Sequence, residues 1–185
     1  QLKSSGLSAQ AHWLLVPRHP ERFQEVQALL SASGLTASLR SSWGEQGPSV
    51  EDQSADVWIG DSLGEMHLYF GLSDVALMGG SFGPYGSQNF IEAVACECPV
   101  VVGPSTYNFA DAARLLQEAG CFTQVNHMED AMVVALRWLQ QPAVLEALRV
   151  AGAAEVRRQS GATQRTWELI APYLGTKHQA PESSR

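Results

Sequence analysis

The stretch DVALMGGSFGPYGSQNFIE, residues 74–92, decides the fold class of this chain. A short apolar strand, Val75 to Met78, leads into Gly79-Gly80-Ser81, and a further glycine-bearing loop leads to a helix that begins near Asn89. This order predicts an α/β protein whose loop and helix start offer bare backbone N–H groups to a phosphate or a sugar carboxylate. Glu92 lies three residues after Asn89 and therefore shares its helical face.

The same alternation of apolar runs and helical periods continues on both sides of this stretch. Strands are predicted at residues 13–16, 35–39, 57–59, 75–78, 99–102 and 122–125. Helices are predicted at residues 21–33, 64–70, 89–96, 110–119, 128–140, 142–159 and 163–173. Strands that alternate with helices predict a Rossmann-like parallel sheet with helices on both faces, and ligands of such sheets bind at the carboxyl ends of the strands.

Length and composition predict one globular domain. The chain has 185 residues, of which 45% are hydrophobic, enough for a core over residues 13–174. Residues 1–12 have the pattern of a linker or helix remnant, and the polar tail 175–185 is predicted to be disordered. The segment 40–55, rich in Ser, Gly and Gln, is predicted to be an exposed, mobile loop.

Charge and residue usage argue against several classes of function. The formal net charge of −7 disfavours nucleic-acid binding. No apolar run is long enough to span a bilayer, and no signal peptide is visible, so this stretch is expected to be soluble. The three cysteines, Cys96, Cys98 and Cys121, are interpreted as buried small residues in a reducing compartment. Their spacing provides no metal site.

Two more polar clusters follow the first and third predicted strands. Pro17-Arg18-His19-Pro20 places a guanidinium in a stiff loop, where it can pair with phosphate or carboxylate, and His19 could bond a base or sugar. A solvated loop arginine is an equally good interpretation. In Gly60-Asp61-Ser62-Leu63-Gly64-Glu65, Ser62 and Glu65 could simply cap a helix. Gly64 favours a site where a ligand approaches the backbone.

A last cluster, residues 103–109, follows the fifth predicted strand. Its Tyr107 and Phe109 could stack on a ligand, although closing the core as a lid is the favoured interpretation. The glycines between residues 79 and 86 match neither the dinucleotide-binding fingerprint nor the P-loop. Glu92 could be an ordinary exposed carboxylate, but a helix start is a good place from which to accept hydrogen bonds from ribose hydroxyls.

Taken in order, these clusters resemble one family. LLVPRHPERF, IGDSLGEMHLYFGLSDVALMGGSF and GSQNFIEAVACECPVVVGPSTYNFADAARLL resemble the C-terminal half of bacterial 3-deoxy-D-manno-octulosonic acid (Kdo) transferases, from about Leu14 to Tyr173. The resemblance implies a GT-B glycosyltransferase whose C-terminal domain binds CMP-Kdo. It implies transfer of Kdo to the lipid A precursor at the cytoplasmic face of the inner membrane. The membrane anchor, acceptor site and catalytic glutamate would belong to the N-terminal half, so the chain by itself is expected to be inactive and to contain no catalytic residue.

The resemblance also assigns binding residues. It implies that Pro17 and Arg18 contact CMP, and that residues 63–65 and 89–92 line the same pocket. Arg18 and the helix start at Asn89 would stabilise the phosphate of CMP as it leaves. The complete predicted site comprises Pro17, Arg18, His19, Ser62, Leu63, Gly64, Glu65, Gly80, Ser81, Asn89, Phe90, Ile91 and Glu92. No cofactor is expected, and the absence of an aspartate pair favours a metal-independent transfer.

This chain departs from the family pattern at three places. Ser62-Leu63 replaces a Thr-Met pair and Ser87-Gln88 replaces Gly-His, while Glu92-Ala93-Val94 replaces Glu-Pro-Ala. Because Gln88 does not titrate, no proton transfer is expected there. The resemblance also implies a first strand before Trp13, and a sheet lacking that internal strand would expose a pairing edge.

Two alternatives remain open. The chain could be the donor domain of another GT-B enzyme that uses a UDP- or GDP-sugar, since a helix-borne glutamate serves equally well there. It could also be a non-catalytic nucleotide-binding module.

Overall fold

The computed structural model describes residues 11–174, which form two three-stranded parallel sheets. The first sheet has the order β1-β3-β2, and the second has the order β4-β5-β6. The strands are β1 (Trp13–Leu15), β2 (Ala37–Leu39), β3 (Val57–Ile59), β4 (Ala76–Met78), β5 (Val100–Val102) and β6 (Phe122–Gln124). The predicted tail, 175–185, and residues 1–10 lie outside the described residues.

Apart from α2, the helices connect the strands as the sequence predicts, within a few residues at each end. They are α1 (Phe23–Ala32), α2 (Val50–Gln53), α3 (Met66–Leu72), α4 (Phe90–Ala95), α5 (Ala110–Glu118), α6 (Met128–Leu139), α7 (Pro142–Gln159) and α8 (Ala162–Leu174). Short 3-10 turns span Pro20–Arg22, Arg40–Ser42, Gly79–Ser81 and Tyr107–Phe109. In the part of the chain that the structure describes, no helix is both long and apolar enough to cross a membrane.

The second sheet is covered on both faces. All three valines of β5 are completely buried. Val100 and Val102 pack with Phe90 in one apolar cluster, whereas Val101 packs with Trp138 in another. Successive strand residues face opposite sides, so a continuous apolar run such as this one requires cover on both faces.

The first sheet is covered differently on its two faces. Val57 and Ile59 pack against Leu30 of α1, while Trp58 faces the segment 40–55. The prediction that this segment is a loop was wrong, because it contains a 3-10 turn and α2. Ser49 and Asp52 form a capping box at the start of α2. The segment 40–55 has the polar composition of a loop, but its polar groups, such as those of Ser49 and Asp52, form hydrogen bonds with one another.

The strands pair as two separate sheets. Among residues 11–174, β1 pairs only with β3 and β4 only with β5, so the predicted parallel sheet is divided into two hydrogen-bonded halves. Helix α3 connects the halves, because it follows the first sheet while its Met66 packs against the core of the second. The fold class is as predicted, and the division arises from pairing, which strand prediction does not determine.

Two of the three cysteines are buried in the second half. Cys98 and Cys121 are each 1% exposed, as the sequence predicted, and burial raises the pKa of the Cys98 thiol to about 12. The interpretation of Cys96 as buried was wrong: it is partly exposed, and its Sγ lies 3.8 Å from Nδ1 of His67 on α3. The buried thiols therefore serve as packing groups.

Candidate functional site

The predicted site residues lie after the carboxyl ends of β1, β3 and β4. Together with the loops after β2 and β5, which hold none of the thirteen predicted residues, they form two groups: the first follows β1, β2 and β3, and the second follows β4 and β5. Because β3 lies between β1 and β2, the loop 60–65 lies between the other two loops of the first group. No hydrogen bond or ion pair within residues 11–174 joins Arg18 or Glu65 of the first group to Asn89 or Glu92 of the second.

The loop after β1 presents its polar side chains to solvent. Arg18 and His19 are exposed, and Pro17 is half-buried. Nδ1 of His19 lies 3.8 Å from Oε1 of Glu21, and both side chains are more than half exposed. No protein acceptor within residues 11–174 is bonded to Arg18. Its guanidinium is therefore available to an anion from solution.

Glu65 is the centre of a polar cluster in the loop after β3. Its Oε2 accepts hydrogen bonds from the hydroxyls of Ser62 and Tyr69, and its Oε1 accepts one from Nη2 of Arg40 at 2.9 Å. These bonds, the one from Ser62 above all, lower the pKa of Glu65. The carboxylate is thus held ionised and in a fixed position.

The helix after β3 begins later than predicted and lacks the Ser62–Glu65 cap that was one of the two interpretations of this loop. Helix α3 starts at Met66, and no side-chain cap bonds its first turn. Ser62 instead bonds the Glu65 side chain and the Tyr69 hydroxyl. Gly64 has a φ of 82°, a conformation that strongly favours glycine, and no atom lies within 4 Å of where its Cβ would be. Backbone conformation alone therefore explains that glycine.

The predicted bare N–H groups after β4 are partly occupied. The backbone N–H of Gly80 donates a hydrogen bond to Oε1 of Gln88 at 3.0 Å. A Cβ on Gly80 would lie 2.5 Å from Nε2 of Gln88, so the glycine lets this side chain lie against the backbone. The prediction of a bare N–H at Gly80 was wrong, because a side chain eight residues later in the chain takes the place expected for a ligand.

Asn89 and Glu92 meet, as their spacing predicts. Asn89 caps α4 by accepting a hydrogen bond from the Ile91 N–H at 3.2 Å, and its Nδ2 donates to Oε1 of Glu92 at 2.8 Å. Both side chains are half-buried. The second carboxylate oxygen of Glu92 has no protein donor within residues 11–174, so it remains available to a hydroxyl group.

The loop after β5 holds the loop 79–89 in place. The Tyr107 hydroxyl donates to the carbonyl of Pro84 at 3.0 Å, and Nδ2 of Asn108 donates to the carbonyl of Tyr85 at 3.0 Å. The hydroxyl of Ser105 accepts from the Gly86 N–H at 3.1 Å. Tyr107 is 64% exposed, so it serves as a clamp between two loops rather than as part of the core.

The remaining predicted site residues divide into exposed and buried ones. Leu63 is 78% exposed and Ile91 is 38% exposed. Phe90 is fully buried, with its ring centroid 5.4 Å from that of Phe109. Ser81 is also fully buried; its hydroxyl donates to the carbonyl of Met78 and accepts from the Gly103 N–H. The side chains of Phe90 and Ser81 thus support the site from the protein interior and present no surface to a ligand.

A cavity of about 470 Å³ opens beside the first group. It is lined by Pro20, Glu21, Phe23, Gln24, Gln27, Leu39 and Asp61. None of the thirteen predicted site residues lines it. Sequence reasoning also missed Arg40 and Tyr69, which bond Glu65. Tyr69 lies four residues after Glu65 within the predicted helix 64–70, so helical spacing could have identified it. For Arg40, the available signal was that it directly follows an apolar run.

Comparison with known proteins places the chain in a family. No family model matches it. It is 45% identical over 163 residues to the 3-deoxy-D-manno-octulosonic acid transferase of Bordetella pertussis, a match that covers 88% of this chain and 37% of that protein. It is 37% identical over 162 residues to the enzyme of the same name from Haemophilus influenzae, covering 87% of this chain and 37% of that protein.

A solved structure agrees with these relatives. The C-terminal CMP-Kdo binding domain of WaaA from Acinetobacter baumannii superposes with a TM-score of 0.74 at 29% identity, covering 84% of this chain and 79% of that one. The chain belongs to the Kdo transferase family. The family resemblance and the α/β fold of a GT-B C-terminal domain are thereby confirmed. The chain spans about 37% of the length of both curated Kdo transferases.

Proposed function

We propose that this chain is the donor-binding part of a Kdo transferase and that it binds CMP-Kdo. The observation that carries this proposal is the likeness to the Acinetobacter baumannii domain, which is described as binding CMP-Kdo. The geometry supports it, because two groups of polar loops lie at the carboxyl ends of parallel strands, where α/β proteins bind nucleotides.

The activity belongs to a longer protein. There, the hydroxyl oxygen of a lipid A precursor forms a bond to the anomeric carbon of Kdo, the bond from that carbon to the phosphate of CMP breaks, and the hydroxyl proton passes to a general base. We place that base in a part of the parent protein outside this chain. The chain spans only 37% of the length of the two Kdo transferases compared above. The transfer would occur at the cytoplasmic face of the inner membrane, with the acceptor and the membrane contacted by the remainder of the parent.

In this proposal, the chain binds the leaving group. Arg18, exposed and without a protein acceptor within residues 11–174, pairs with the phosphate, whose negative charge grows as CMP departs. The available oxygen of Glu92 accepts a hydrogen bond from a ribose hydroxyl, and Asn89 holds that carboxylate in place at 2.8 Å. The loops 60–65 and 79–89 form the surroundings of the nucleotide.

Titration of the chain with CMP tests the proposal. We expect ¹⁵N NMR shifts at Arg18 and at residues 63–65 and 89–92, with a weaker response to UDP. Glu92→Gln keeps the shape of the side chain and should weaken CMP binding about tenfold, because it removes a charged acceptor. Glu118→Gln, at an exposed carboxylate on α5, is the matched control and should bind like the wild type.

Two outcomes would count against the donor assignment, and a third would count only against the role of Glu92. An equal response to CMP and UDP would indicate a GT-B domain for another nucleotide sugar. A folded chain with no response to either nucleotide would contradict donor binding by this chain. Unchanged affinity in Glu92→Gln would remove the role of Glu92 while leaving the donor assignment intact.

A further inference from the structure

Arg40 is held in a fixed position although the sequence places it in a polar loop. It directly follows β2, and its Nη2 donates to Oε1 of Glu65 at 2.9 Å. Its guanidinium carbon lies over the Trp43 ring, 5.4 Å from the centroid. Trp43 is itself fixed, since its Nε1 donates to the Ser38 hydroxyl at 2.8 Å and its ring meets that of Trp58. Because the Arg40 guanidinium is bonded at one edge and stacked on one face, its side chain loses little conformational entropy on binding a ligand.

The Glu65 carboxylate has little capacity left for a ligand. Three donors already bond its two oxygens, namely Ser62, Tyr69 and Arg40. An ionised carboxylate offers about four acceptor positions, so most of them are taken. The group in this cluster that can still make several hydrogen bonds is the guanidinium. Arg40 has five N–H donors, of which one is bonded to a protein acceptor within residues 11–174, and its side chain is 29% exposed.

The charges around Arg40 favour a neutral ligand group. The ion pair with Glu65 already balances the positive charge of the guanidinium. Asp61 adds a second carboxylate nearby, since it accepts hydrogen bonds from the backbone and hydroxyl of Ser41, the next residue after Arg40. An anion bound here would approach both carboxylates. A planar neutral group with adjacent acceptor atoms meets no such repulsion.

The position of Arg40 also suits the base end of a nucleotide. Arg18 follows β1 and Arg40 follows β2, and β3 lies between these strands. Two strand spacings, about 10 Å, therefore separate the two strand ends. A nucleotide laid across the loops can place its phosphate at Arg18 and its base at Arg40, with its ribose above the loop 60–65.

We infer that Arg40 reads the base of the nucleotide and selects cytosine over uracil, with Glu65 as the residue that positions it. This inference rests on the proposed donor site. Cytosine presents two neighbouring acceptors, N3 and O2, which match two N–H groups of a guanidinium. Uracil keeps O2 but has an N–H at position 3. That N–H would face an N–H of the guanidinium, and two donors cannot form a hydrogen bond. A site built to hydrogen-bond one partner rejects the analogue that leaves its buried groups unpaired.

The test compares the affinities for CMP and UMP, which differ only in the base. Isothermal titration calorimetry on the wild type should give a clear preference for CMP. Arg40→Gln should lower that preference by about tenfold or more, through weaker CMP binding with UMP nearly unchanged. Arg40→Lys should also lose most of the preference, because it keeps the charge but not the planar fork. Arg114→Gln, at an exposed ion-paired arginine on α5, is the control and should keep the wild-type ratio.

The ratio is measured within one variant, so partial loss of folded protein cannot imitate the expected result. Equal weakening of CMP and UMP in Arg40→Gln would overturn the inference and leave the proposed function standing. Unchanged affinities for both nucleotides would overturn it as well. If the folded wild type binds neither nucleotide, the proposed donor site fails and this inference fails with it.

Discussion

Both sheets consist of three parallel strands, yet they are stabilised in different ways. In the second sheet the central strand β5 is completely buried, and apolar side chains cover both faces. In the first sheet, as far as residues 11–174 show, one face of the central strand β3 packs on an apolar cluster. Its other face meets Trp43 and a network in which Asp52 accepts hydrogen bonds from Ser38 and Ser49.

This difference extends to the loops that carry the candidate site. The loop 79–89 of the second half is clamped by backbone and side-chain bonds from residues 105–108. In the first half Arg18 and His19 stand in solvent, while Arg40 and Glu65 hold each other. The second half therefore combines an apolar core with a loop that hydrogen bonds hold in place, whereas in the first half hydrogen bonding orients Arg40 and Glu65 beside the exposed Arg18 and His19.

The largest expected effect lies in the core of the second half. Phe90→Ala should lower the free energy of unfolding by about 3–5 kcal/mol, because a fully buried ring in contact with Phe109 and Phe122 leaves a cavity. Urea denaturation monitored by circular dichroism measures it. Leu72→Ala, at a side chain that is 71% exposed, should stay within about 0.5 kcal/mol. A loss below about 1 kcal/mol for Phe90→Ala would show that the second half is less tightly packed than the comparison requires.

A pair of glycine substitutions tests loop packing in the two halves. A Cβ on Gly103 would lie 2.5 Å from the backbone oxygen of Ser81, which cannot move aside easily, so Gly103→Ala should cost about 1–3 kcal/mol. No atom lies within 4 Å of the equivalent position at Gly44, in the segment 40–55 of the first half. Gly44→Ala should therefore remain within about 0.5 kcal/mol in the same denaturation experiment. Similar losses of stability for both variants would contradict the expectation that Gly103 is tightly packed and Gly44 is not.

The smallest expected effect is a pH dependence in the first half. Folding lowers the pKa of Glu65, through hydrogen bonds from Ser62 and Tyr69 and the charge of Arg40. Its contribution to stability is thus complete above its ordinary pKa of about 4.5 and is lost as the pH falls through the lowered value. Carboxyl ¹³C NMR should give a midpoint below 4.5 in the wild type. Ser62→Ala should move that midpoint upwards, and an unchanged midpoint would mean that this hydroxyl does not hold the carboxylate.

Much of the candidate site is predictable because it depends on residues close in sequence. The pairing of Asn89 with Glu92 follows from their spacing of three on a helix, and the structure places their side chains 2.8 Å apart. The occupation of the Gly80 N–H by Gln88 was missed, since a side chain eight residues away can point anywhere until the loop is folded. The bond of Arg40 to Glu65 joins residues 25 positions apart, and no local pattern encodes it.

Local sequence patterns were enough to predict the α/β class, the family and, apart from α2, the order of strands and helices. Those depend on hydrophobic periodicity, on glycine positions and on motifs that are each read within a few neighbouring residues. Three features became evident only in the folded chain: the strands pair as two separate sheets, the segment 40–55 contains a helix, and Arg40 bonds Glu65. Strand pairing and ion pairs between loops depend on contacts across long separations in sequence, whose free energies are set by burial and hydrogen-bond geometry rather than by local propensity.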